Sequence, residues 1–175
     1  MSKTRIWVLP IITSLGCGVD GVSGPELTGD CFVDPPQLEI GEGESSFLPL
    51  SQGDNVVIVH GPQGGWHITG AVRATGIGQI ARIRFSVEHL NSGVFVTDYD
   101  YNVAMVMEDD CTGSFINMTG FITVSEMEGG DVLLPPDLLE DEELRITMEV
   151  DDFGERSVVR SVTVVGERHP LDMEE

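Results

Sequence analysis

Lysine is all but missing from this chain. Lys3 is the only one, and eight arginines bring the basic residues to nine, against 30 acidic ones and a formal charge of −21. Phosphate contacts need Lys and Arg, so a nucleic-acid or anionic-lipid surface gripped through a basic patch is excluded. Basic partners or divalent cations would be attracted, and self-repulsion alone favours solubility. Catalytic signatures are missing as well: the sequence holds no G-x-S-x-G, no P-loop and no H-E-x-x-H. Ser, His and Asp that merely co-occur carry almost no information, and paired carboxylates such as Asp109-Asp110 and Glu140 to Glu143 fall in expected loops. No enzyme is expected; a deep cleft holding a His close to a Ser or a carboxylate would reopen the question. No apolar run reaches the roughly 18 residues of a membrane-spanning helix.

What is present begins with Lys3 and Arg5, followed by an apolar stretch from Ile6 to Leu15. A short positive segment and a short apolar one have the form of a signal peptide. The stretch ends in Ser14-Leu15-Gly16-Cys17, which resembles the lipobox of bacterial lipoproteins, although leucine is usual where Ser14 stands. The resemblance implies cleavage before Cys17 and a diacylglycerol on its thiol; an ordinary secretory signal or a short buried helix is the alternative. Residues 1–16 are then the signal peptide and 17–30 a flexible, glycine-rich tether. Residues 31–168 form the domain and 169–175 an acidic tail. The localisation that follows is the cell envelope, at the outer membrane or the cell surface rather than the inner membrane.

The chain has three cysteines. With Cys17 acylated, Cys31 and Cys111 remain as a pair in an oxidising compartment, where a disulfide is expected. Closing a loop of about 80 residues would contribute roughly 4 kcal/mol in the chain-entropy model. Two unrelated small core residues are the other reading.

Inside the domain the hydrophobic period is two. Ala81 to Glu88 and Leu144 to Asp151 alternate apolar and polar residues, the pattern of strands with one wet face. Val56 to His60, Trp66 to Arg73, Val94 to Thr97, Val103 to Met107, Phe115 to Ser125 and Val158 to Val165 complete about eight strands with no convincing helix. The fold class is all-β, an antiparallel β-sandwich. Leu144 to Val165, with Asp151-Asp152-Phe153-Gly154-Glu155 as its turn, resembles the closing hairpin of bacterial immunoglobulin-like domains. That likeness implies an immunoglobulin-like sandwich and says nothing of function.

Two stretches could carry binding. Asp98, Asp100, Asn102 and Asp109 offer oxygen ligands at calcium-loop spacing. Val103 stands where such a loop needs glycine, however, and Val103, Met105 and Met107 alternate as a strand, so a solvated acidic strand end competes. In His60-Gly61-Pro62-Gln63-Gly64-Gly65-Trp66-His67, glycine and proline make a turn. His60 and His67 could face one another across it and suit zinc or copper. Trp66 is either a core anchor or, with His60, Gln63 and His67, part of an exposed contact site; alternation puts it with Ile68 and favours the core. The function expected is an exported, lipid-anchored binding or structural module of the envelope that meets an unidentified protein or glycan, without a cofactor. A calcium- or transition-metal-binding envelope protein is the alternative, and an enzyme of unrecognised class the third reading.

Overall fold

The computed structural model describes residues 33–62, 64–108, 111–128, 131–154 and 156–173. The signal peptide, the tether, Cys17, Cys31, Gln63 and Asp109 lie outside them. Twelve strands follow in order: β1 Gln37–Glu42, β2 Leu48–Pro49, β3 Asn55–Gly61, β4 Gly65–Thr75, β5 Ile80–His89, β6 Val94–Ala104, β7 Val106–Met107, β8 Thr112–Ile122, β9 Glu126–Glu128, β10 Asp131–Leu133, β11 Glu143–Asp151 and β12 Ser157–Arg168. Ten of them belong to one hydrogen-bonded sheet, while β9 and β10 form a separate hairpin. The fold is all-β.

The period-two pattern sets which face is buried. Ala81, Ile83, Phe85 and Val87 of β5 point inward, as do Leu144, Ile146, Met148 and Val150 of β11. β11 and β12 make the expected hairpin, with Glu143 opposite Val165 and Asp151 opposite Ser157. The sheet curls so that its halves face each other. On one side lie β6, β5, β11, β12 and the first half of β3; on the other lie the second half of β3 with β4, β1, β2, β8 and β7.

Two elements pass between the halves. β3 pairs in parallel with β12 at Asn55 to Ile58, then antiparallel with β4 at Val59 to Gly61. β6 ends beside β5, and the chain crosses at the buried Met105 into β7, which pairs with β8. Strands that change sheets make the corners of such packings. Along the seam between β6 and β8, side chains replace a backbone ladder. Tyr101 Oη donates to Thr119 O at 2.6 Å, and Thr97 Oγ1 donates to Phe121 O at 3.1 Å. The β8 edge is blunted in this way against pairing with another chain.

The centre of the packing is Phe85, which is fully buried. Its ring lies against Gly70 of β4 and Gly120 of β8, where a Cβ would come within 2.8 and 2.7 Å of it respectively. Only glycine allows that approach.

Several expectations need correction. Among the described residues the strands number twelve rather than about eight, and β3 with β12 breaks the all-antiparallel rule. Val94 to Thr97 is not a separate strand: β6 runs straight through the acidic segment to Ala104. A five-residue helix, α1, occupies Pro135–Leu139, with Leu134 N–H donating to the Asp137 carboxylate at 3.1 Å. Proline at the first helical positions costs no hydrogen bond. Arg168 then ties α1 to β12 through Asp137 at 2.7 Å and Glu140 at 3.0 Å. Part of the expected tail, Pro170–Met173, is a 3-10 turn.

Candidate functional site

The β3–β4 hairpin closes at Gly61 to Gly65, where Gly64 takes φ +80° and donates its N–H to Gly61 O at 3.0 Å. A positive φ at that point favours glycine. The pleat separates the residues that the sequence brings together. His60 lies opposite Trp66, and the rings stack at 4.5 Å between centroids and 18° between planes. Trp66 shares a face with the buried Ile68 and packs, half-buried, against the core. His67 lies opposite Val59 and turns to the other face. The two histidines therefore do not meet across the turn; His60 meets Trp66 instead.

On the outer face His67 joins residues that lie far from it in sequence. Its ring meets Phe121 of β8 edge-on at 6.2 Å, and Phe121 meets Tyr99 of β6 in the same way at 6.2 Å. Phe121 is half exposed although Met118 and Ile122 beside it in the same strand are buried. With Gly61, Pro62, Gly64, Gly65, His67 and Thr119, it lines an open cleft of about 470 Å³. Burial pushes the His67 pKa below its ordinary value, with Glu44 pulling weakly the other way. The ring is therefore neutral at pH 7. Its Nδ1 is buried and finds no hydrogen-bond partner among the described residues. Burial also raises the pKa of the Tyr101 phenol, helped by Tyr99 and opposed by its bond to Thr119. One signal in the sequence could have found Phe121: Met118, Gly120 and Ile122 set the inward parity of β8, so a phenylalanine between them points outward.

The acidic residues behave differently. Asp98, Asp100 and Asn102 are alternate exposed positions of β6, opposite Ser86, Arg84 and Arg82. Their calcium-like spacing is the pleat of a strand, which holds the outer two about 13 Å apart at Cα. A cation needs its oxygens within about 2.6 Å. Arg84 donates to both Asp98 oxygens, at 2.9 and 2.8 Å, and this bond lowers the Asp98 pKa. Among the described residues no three His, Cys, Asp or Glu side chains are placed to hold a metal.

A His near both a Ser and a carboxylate does occur, in the β5–β6 turn. Ser92 Oγ lies 2.9 Å from His89 Nδ1, and His89 Nε2 lies 3.1 Å from Glu142 Oε2. The order matches nucleophile, base and orienting carboxylate. Yet Ser92 Oγ also accepts the Val94 N–H at 3.3 Å, and Gly93 N–H bonds His89 O at 2.8 Å. The three residues close a hairpin turn and fasten it to the loop before β11. Cys111, at φ 67°, is disulfide-bonded.

No family model matches the chain, and no curated protein matches it. Among solved structures, the CooA pilin subunit from enterotoxigenic Escherichia coli is similar over 76% of this chain and 99% of that one. The identity is 8% and the TM-score 0.34.

Proposed function

We propose that this protein is an exported, lipid-anchored binding module of a bacterial cell envelope, and that the cleft beside the Gly61–Gly65 turn is its contact site. The observation that carries the contact site is the aromatic trio His67, Phe121 and Tyr99, held half-open on the outer face. A half-exposed phenylalanine between two other rings offers a partner apolar area at little entropic cost.

The anchor rests on Lys3, Arg5, the apolar Ile6 to Leu15 and the lipobox-like Ser14 to Cys17. A bonded Cys111 is what an oxidising compartment favours, and Cys31 is the partner we propose for it. Lipid on Cys17 leaves the domain on a tether of about a dozen residues, long enough to reach neighbours in the envelope. No chemistry is assigned to the protein, and nucleic acid is not among its partners.

Expressed in a bacterium, the full chain should partition into detergent and carry the mass of a diacylglyceryl group. Cys17→Ser should release it or leave it uncleaved. Soluble wild-type protein that begins elsewhere than Cys17 would refute the anchor. For the contact site, crosslinking in the native envelope should capture a partner with the wild-type protein and lose it with Phe121→Ala. Capture unaffected by that change would move the site elsewhere.

A further inference from the structure

We infer that the cleft takes a neutral, hydroxyl-rich ligand with a flat apolar face, that is, a saccharide. This inference rests on the cleft being the contact site. The chain carries a charge of −21, yet no Asp, Glu, Lys or Arg is among the described residues lining this cleft. An anionic ligand would meet the repulsion of the whole molecule with no local cation to hold it. The overall charge would draw a cationic ligand, and Glu44 acts on His67 from nearby, yet no carboxylate stands in the described lining to pair with it. No side chain in the described lining would pair with a charged ligand of either sign, which favours an uncharged one.

Size and surface narrow the choice. At about 470 Å³ the cleft belongs among small-ligand sites, which run from about 300 to 1,000 Å³. Phe121 presents its ring on one side. Gly61, Gly64 and Gly65 also line the cleft, and an added Cβ at Gly64 or Gly65 would meet nothing within 4 Å, so backbone is open to a ligand there. A ligand can thus lie flat on the ring while its edge approaches peptide groups. With Nδ1 buried, the neutral His67 imidazole has one nitrogen left for a ligand hydroxyl, a donor or an acceptor according to its tautomer. Thr119, also in the lining, offers a further polar group. A pyranose ring, with C–H groups on its faces and hydroxyls around its edge, meets all of these demands.

The test is calorimetric titration of the detergent-solubilised full chain with cellotetraose, N-acetylglucosamine tetramer and maltotetraose, and separately with a decaproline peptide. At least one sugar should bind. Phe121→Leu, which keeps apolar area and removes the ring, should weaken that sugar about tenfold. Phe153→Ala should change nothing, since Phe153 is exposed in the β11–β12 turn, whose Arg156 lies beside Gly76 at the other end of β4. No heat from all three sugars overturns the inference, and so does sugar binding that Phe121→Leu leaves intact. Decaproline binding lost in Phe121→Leu, with no sugar bound, also overturns the saccharide but leaves the cleft as contact site.

Discussion

Replacing Gly120 by alanine probes the centre of the fold with one methyl group. The new Cβ would lie 2.7 Å from Phe85 Cε1, 3.0 Å from Phe85 Cζ and 2.9 Å from Thr97 Cγ2. Carbon atoms repel strongly below about 3.5 Å, so either the ring or the backbone must move. The ring cannot retreat: a Cβ at Gly70 would already lie within 2.8 and 2.9 Å of it, and within 2.7 Å of Met148 Cε. Forcing an extra methyl into such a core costs about 1–3 kcal/mol. Alanine recovers about 0.5–1 kcal/mol because it has less backbone freedom to lose than glycine. The expected net loss is about 1 kcal/mol. Urea unfolding followed by circular dichroism should show a lower midpoint at unchanged m-value. Phe85→Leu frees the space, so the double mutant should be more stable than the sum of single effects by at least about 0.5 kcal/mol. Gly120→Ala protein as stable as wild type, or strict additivity with Phe85→Leu, would refute the wedge.

Trp66→Ala should cost about 2 kcal/mol, below the full range for a buried aromatic because the indole is half-buried and rests partly on His60; a measured loss under about 1 kcal/mol would put the ring outside the core. The lowered pKa of His67 makes the unfolded chain bind more protons than the folded one as pH drops below 6.5. Stability should therefore be at its plateau above 6.5 and fall with pH until the folded-state pKa is passed. His67→Gln should remove that slope from a pH series of denaturation curves, and an unchanged slope would assign it to another group.

Much of the fold could be read from alternation alone. β5 and β11 are legible because each keeps strict parity over eight residues and has one wet face. β1 was missed, since Gln37-Leu38-Glu39-Ile40-Gly41-Glu42 alternates over only two apolar residues and follows two prolines. β6 was cut in two because Asp98, Asp100 and Asn102 resemble loop residues. The two aspartate charges are tolerated because that face of an edge strand is in water, where Arg84 compensates Asp98. The candidate site was half legible. Its turn chemistry is local and marks the Gly61–Gly65 turn, whereas Phe121 and Tyr99 arrive from strands that meet it only through tertiary structure. His60 and His67 flank the turn in sequence, but the two-residue parity of the strands on either side sends them to opposite faces.

The parallel pairing of β3 with β12 has a consequence for the order in which the molecule can be made. Asn55 Nδ2 reaches the Glu167 carboxylate across a separation of 112 residues, and the backbone ladder beside it joins Asn55 to Val165. A chain synthesised from its amino end holds the first half of β3 without a partner until nearly the last strand has emerged. Such long-range closure places the protein among slow folders, in milliseconds to seconds rather than microseconds. Until then Val56 and Ile58, both fully buried in the finished protein, stand open to water or to whatever chaperone escorts the nascent chain.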